Sequence, residues 1–160
     1  MISRLNGGTW AGQMTGPLGI AAKLLAVAIV AGCATGESLT EKGIEASATK
    51  PGMTRIVVYR DGVMGAAVQP EITVDSKPTG KCQPNGVFLV DVEPGVHRLT
   101  ATTESTSAID VDTKKYPVAY VKCSIGLGFF VGRPSLTQVP SEAGATETRD
   151  LAVIGTYAVP

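Results

Sequence analysis

Three cysteines and a single histidine are the residues best suited to chemistry in this 160-residue chain. A thiol can be acylated, oxidised or given to a metal, and an imidazole can move a proton near neutral pH. Catalysis and metal binding also need partners at short range. One histidine and two widely separated cysteines, Cys82 and Cys123, provide no compact ligand pair, so no metal site is expected. His97 stands where Glu93-Pro94-Gly95 turns into a strand pattern. The expectation there is a side chain hydrogen-bonded near the turn, not a general base. A triad of His97 with some serine and aspartate can always be drawn in a chain with many of both. That makes a hydrolase the weakest functional reading: no catalytic residue and no cofactor is expected.

Cys33 is set apart by what precedes it. Lys23 is followed by Leu24-Leu25-Ala26-Val27-Ala28-Ile29-Val30-Ala31-Gly32 and then the thiol. The uncharged run is too short for a bilayer span of ~20 residues. It fits the apolar region of a secretory signal, ~7–15 residues. Val30-Ala31-Gly32-Cys33 is similar to a lipobox, the signal in which the thiol receives a diacylglyceryl group and the bond before it is cut. Residues 1–32 are thus expected to be the export signal and Cys33 the lipid-bearing first residue of the mature chain. Met14 offers an alternative start with a tighter leader. Two buried acyl chains hold a protein on a membrane durably, whereas one is marginal. Ala34 follows the cysteine in place of the aspartate that retains enteric lipoproteins at the inner membrane, and by resemblance to that rule the periplasmic face of the outer membrane is expected over the inner one.

With Cys33 acylated, Cys82 and Cys123 remain in an oxidising compartment. Two readings stand: a disulfide, worth about 3–4 kcal/mol by loop closure, or two separate buried thiols acting as small apolar residues. Gly126-Leu127-Gly128 has the look of a phosphate loop, but such a loop must open a helix, and here strand-like Phe129-Phe130-Val131 follows. Phe129, Phe130 and Arg133, with Tyr116 and Tyr120, could form an aromatic–arginine surface for a sugar or a protein partner. Adjacent Phe129 and Phe130 would point to opposite faces of a strand, so at least one belongs to a core.

The formal net charge is zero, and removal of residues 1–32 leaves twelve basic against fourteen acidic side chains. Nucleic-acid binding needs clustered Lys and Arg, so no such partner is expected. Nineteen glycines and ten prolines predict many turns and few long helices. Residues 34–52 are small and polar without a sustained period, and read as a flexible tether reaching roughly 20–25 Å. From residue 53 to 160 the pattern is short strands between turns. Arg55-Ile56-Val57-Val58-Tyr59 is β-branched and aromatic. Ile72 and Val74 alternate, as do Phe88, Val90 and Val92, then Leu99 and Ala101, then Val121, Cys123 and Ile125. Ser76-Lys77-Pro78-Thr79-Gly80 and Pro84-Asn85-Gly86 read as turns. Gly128 to Gly132 could extend the sheet. Residues 141–151 admit a short C-terminal helix with Ser141 as N-cap, weakened by Gly144. The fold expected is all-β, an antiparallel sandwich of about seven to nine short strands.

Four segments occur in a telling order: Thr54-Arg55-Ile56-Val57-Val58-Tyr59-Arg60, Ile72-Thr73-Val74-Asp75, Val92-Glu93-Pro94-Gly95-Val96-His97, and Gly126-Leu127-Gly128-Phe129-Phe130-Val131-Gly132-Arg133-Pro134. Together they resemble the bacterial lipoprotein family known as domain of unknown function 2846. The middle part is similar to the PEGA-type β-module. The resemblance implies an envelope β-sandwich without an assigned activity, and it carries no catalytic residue. The expected role is a non-catalytic envelope module that binds another envelope protein or provides structure. The alternative is a carbohydrate-binding module for peptidoglycan or surface glycans.

Overall fold

A computed structural model describes residues 34–42, 50–128 and 132–160. Nine strands and one helix lie among them. They are β1 (Thr54–Arg60), β2 (Glu71–Val74), β3 (Lys77–Lys81), β4 (Gly86–Val92), β5 (Val96–Thr102), β6 (Thr106–Asp112), β7 (Val118–Gly126), β8 (Arg133–Val139), α1 (Ser141–Thr148) and β9 (Ala152–Val159). The chain forms the expected all-β sandwich. Its larger sheet has the order β8-β7-β1-β4-β9 and its smaller sheet β3-β2-β5-β6.

Pairing is not wholly antiparallel. β1 runs parallel to β7 and β4 parallel to β9, so the larger sheet is mixed. Between β1 and β7 the chain builds the opposite sheet, so this parallel neighbour arises without a βαβ unit.

The alternating residues meet between the sheets. Ile56, Val58, Phe88, Val90, Val92, Val121 and Ile125 pack against Ile72, Val74, Leu99, Ala101 and Val111. β1 and β4 are buried along their whole length on both faces. Their outward residues Val57, Tyr59, Val87 and Leu89 form a second apolar layer with Tyr120, Leu151 and Leu39. Two-sided burial is why β1 reads as a continuous apolar run.

Leu39 overturns part of the tether expectation. Residues 34–42 are docked on the domain. The Ala34 N–H donates to the Pro84 carbonyl at 2.9 Å, and the Val153 N–H donates to the Glu37 carbonyl at 3.0 Å. Ser38 bridges Ala152, and the Thr40 hydroxyl donates to the Arg149 carbonyl at 3.2 Å. The physical reason is the outer apolar layer, which Leu39 helps to cover. One leucine in a polar stretch has no period to betray it.

The turns and the C-terminus also differ from expectation. The β2–β3 turn is Asp75-Ser76, both with positive φ (50° and 66°), and Lys77 to Lys81 is strand. That is the backbone of a type I′ hairpin, usually filled by Asn-Gly. Helix α1 has Pro140, not Ser141, at its N-cap and no side-chain cap. Gly144 is required by packing: a Cβ there would lie 2.2 Å from Cγ of Tyr120. The proposed extension through Phe129-Phe130-Val131 lies outside the described residues.

Candidate functional site

A disulfide joins Cys82, just after β3, to Cys123 in β7, with Cα atoms 6.1 Å apart. It links the two sheets, and both cysteines are buried. Cys33 lies outside the described residues. Its covalent neighbour Ala34 is held against Pro84, two residues beyond the bonded Cys82.

His97 is a clasp between two turns. Its Nδ1 lies 2.7 Å from Oδ2 of Asp75, and its Nε2 lies 2.7 Å from the Glu93 carbonyl. The other Asp75 oxygen accepts from the Arg98 N–H at 2.9 Å. Burial alone would raise the Asp75 carboxyl. Hydrogen bonds from His97 and Arg98, with the nearby charge of Lys77, outweigh it and hold the group below its ordinary value. The same carboxylate anchors the positive-φ hairpin turn it belongs to. Both ring nitrogens of His97 therefore face acceptors within the fold.

A second polar cluster fastens α1 to the larger sheet. Lys122 Nζ donates to Glu147 Oε2 and to Asp61 Oδ2, each at 2.9 Å. The Tyr59 hydroxyl donates to the same Glu147 oxygen at 2.7 Å. These bonds from Lys122 and Tyr59 lower the Glu147 carboxyl, and Lys122 is raised by its bonds to Glu147 and Asp61. Tyr59 is raised by burial and by the Glu147 carboxylate. A third pair, Arg55 and Asp91, faces across β1 and β4 with two contacts, at 2.7 and 3.1 Å, and is almost fully buried. Among the described residues, no buried side-chain nitrogen or oxygen lacks a hydrogen-bond partner.

The aromatic–arginine surface is not assembled by the described residues. Tyr120 is buried under α1, its ring against Gly144. Tyr116 is partly exposed beneath Lys115, whose Nζ stands 5.2 Å from the ring centroid. It borders a depression of about 450 Å³ with Ala119, Gln138, Val139 and Pro140. Arg133 begins β8 and is exposed, with Nε 4.0 Å from Glu104. Tyr116 precedes β7 and Arg133 follows it, so the two lie at opposite ends of that strand. Phe129 and Phe130 lie outside the described residues.

At the end of the sandwich where Arg133 lies, sequence reasoning passed over the connection after β1. Two connections meet there, residues 61–70 after β1 and, after β7, the described residues Leu127, Gly128 and Gly132. Arg60 is buried and holds the first of them. Its Nη1 donates to the Val68 and Cys82 carbonyls, both at 2.9 Å, and its Nη2 donates to the Met64 carbonyl. Gly65, with φ of 68°, presses on β7: a Cβ there would lie 2.9 Å from Ile125 Cγ2. The Gly62 N–H donates to Asn85 Oδ1 at 2.9 Å, one residue from the carbonyl that holds Ala34. The Thr103 hydroxyl, in the β5–β6 turn, donates to the Gly132 carbonyl at 2.8 Å. Met64, Val68, Ile125 and Leu127 line a hollow of about 210 Å³ between the two connections. Val63, Met64 and Leu127 are exposed, and nothing in the sequence periodicity sets the first two apart.

No group of three or more potential metal-ligating His, Cys, Asp and Glu side chains exists among the described residues, and no described helix is long and apolar enough to cross a membrane. No family model matches the chain, and no solved structure matches it. The chain is similar to an uncharacterized protein of Haemophilus influenzae. The two are 28% identical over 128 residues, covering 79% of this chain and 75% of the other.

Proposed function

We propose that the chain is an envelope lipoprotein anchored through Cys33. Its β-sandwich is a structural or protein-binding module, not an enzyme, and the resemblance to the domain of unknown function 2846 family belongs to the same reading. The observation that carries it is the succession of Lys23, an apolar run and Val30-Ala31-Gly32-Cys33. The Cys82–Cys123 disulfide supports it independently of the leader, because such bonds persist in oxidising compartments such as the periplasm. The use made of the ionisable groups supports the non-catalytic part. His97 clasps two turns, Lys122 and Glu147 fasten a helix, and Arg55 and Asp91 neutralise each other inside the fold. Ala34 after the cysteine favours the periplasmic face of the outer membrane.

The test is the intact mass of full-length protein expressed in a Gram-negative host and extracted from its membranes with detergent. The expected species begins at Cys33 and carries a diacylglyceryl group. Cys33→Ser is expected to accumulate as unlipidated, uncleaved precursor. A wild-type chain that keeps its leader, or whose Cys33 sulfur is bare, would refute the anchor. Crosslinking in living cells is expected to join the domain to a specific envelope protein. The interaction role fails if no crosslink forms and deletion leaves the envelope intact.

A further inference from the structure

The docked segment removes the slack a lipoprotein tether would provide. Ala34 is bonded to Pro84 at one end of the sandwich. Cys33 is the next residue, about 3.8 Å away along the backbone. A diacylglyceryl thioether on Cys33 would bring that end of the domain to the membrane surface. The reach of roughly 20–25 Å available to a free tether of residues 34–52 is lost to docking.

The same end is where large apolar side chains are left in water. Of the five exposed large hydrophobic residues described, Val63, Met64 and Leu127 lie in the two connections that meet there. Leu127 is 93% exposed and Met64 74%. The remaining two, Val96 and Tyr116, sit at the opposite end, where β5 begins and just before β7. The Pro84-Asn85 turn ties the observations together. Pro84 accepts from Ala34 and Asn85 from Gly62, the residue before Val63. Charges at this end are of both signs, Lys81, Lys122 and Arg133 beside Asp61, Glu71 and Glu104. Such a balance gives no electrostatic reason to prefer anionic lipid.

We propose that this end of the sandwich rests on the bilayer, with Val63, Met64 and Leu127 inserted into the boundary between headgroups and acyl chains. The inference builds on the Cys33 anchor reading and adds an orientation to it. The domain is held by two devices at one end, the lipid and the apolar loop tips. The Val96–Tyr116 end then faces away from the membrane, toward whatever the module binds.

The only tryptophan of the chain, Trp10, lies in the segment expected to be cleaved, so an introduced indole reports alone in the mature protein. Leu127→Trp and, as control, Val96→Trp are made in the full chain, and the membrane-extracted proteins are reconstituted in phosphatidylcholine vesicles. Side chains at such a boundary sit about 5–10 Å into it, within reach of brominated acyl chains. The expected result is blue-shifted emission and about twofold or greater quenching by brominated lipid for Leu127→Trp, with neither effect for Val96→Trp. Adding anionic lipid is expected to leave the difference unchanged. Intact mass on the same samples separates the two levels of the argument. Lipid on Cys33 with a solvent-like, unquenched indole at position 127 overturns this orientation and leaves the anchor standing. A bare Cys33 overturns the anchor and this inference with it. Emission that shifts with protein concentration and not with lipid overturns it in favour of contact between two copies.

Discussion

Loss of the Cys82–Cys123 bond should cost this domain much of its stability. The bond spans 41 residues, and the chain-entropy relation gives about 4 kcal/mol for a loop of that size. Both cysteines are buried, so Cys82→Ala with Cys123→Ala also leaves space where each sulfur packed, roughly 1 kcal/mol apiece. A domain of this size has only about 5–15 kcal/mol in hand. Urea unfolding of the oxidised wild type and the double variant measures the difference. With a slope of about 2 kcal/mol per molar, the midpoint should fall by roughly 2–3 M. Adding a strong reductant to the wild type should reproduce most of the shift, since the entropic part needs only the bond broken. The loss should appear mainly in the sheet-to-sheet fastening, because Cys82 follows β3 and Cys123 lies in β7 of the opposite sheet. Midpoints that agree within about 0.5 M, or two free thiols in denatured, unreduced protein, would refute the reasoning.

Asp91→Ala leaves the Arg55 guanidinium buried beside a missing carboxylate and should destabilise by about 3–5 kcal/mol, whereas Arg55→Met with Asp91→Leu should recover most of that; chemical denaturation of both variants checks the pair. Gly144→Ala should destabilise by about 1–3 kcal/mol in thermal unfolding, against the gain that helix propensity alone would give, because the new Cβ meets Tyr120 at its Cβ and Cγ and not at a flexible tip. Asp75 and Glu147 titrate below their ordinary values in the folded state. Their contribution is therefore complete above the ordinary carboxylate range and lost as pH falls through the depressed values. Lys122 and Tyr59 are raised, so their contribution is complete below their ordinary values and lost as pH rises through the raised ones. Melting temperature against pH should fall at both extremes, and Glu147→Gln should flatten both limbs; a curve unchanged by that substitution would count against the cluster.

The strands that carry the inner core were legible because one face of each meets the opposite sheet. Phe88, Val90 and Val92 alternate for that reason, as do Val121, Cys123 and Ile125. Strands β8 and β9 were not legible. Both are edges of the larger sheet: in β8 the buried positions are a proline, Pro134, and Leu136 between exposed Arg133, Ser135 and Thr137, and in β9 Gly155 and Thr156 interrupt the apolar residues. A proline is tolerated there because an edge strand has unpaired positions. The Asp75-Ser76 turn was missed because its positive-φ backbone is held by a distant partner, His97, and not by an Asn-Gly signature. Mixed pairing was missed for a similar reason. Nothing local in β1 records whether its neighbour β7 runs with it or against it.

If Cys33 carries the proposed anchor, the docking of residues 34–42 changes what the domain can do. A flexible tether would leave orientation free, and any face of the sandwich could meet a partner. A docked segment that begins one residue after the proposed anchor would make orientation a property of the fold. Deleting that docking should therefore change orientation without touching the anchor. Leu39→Ser removes the side chain that fills the outer layer beside Val57, Tyr59 and Leu151, and Leu39 is buried. Exposing or losing such a side chain costs about 1.5–3 kcal/mol, enough to free a short segment held otherwise by a few surface hydrogen bonds. In the Leu39→Ser background the Leu127→Trp indole should lose part of its protection from water while the mass of the lipidated chain stays the same apart from the substitutions. Unchanged emission would mean that the apolar loop tips hold the end of the domain down by themselves, and that the segment after the anchor is a passenger.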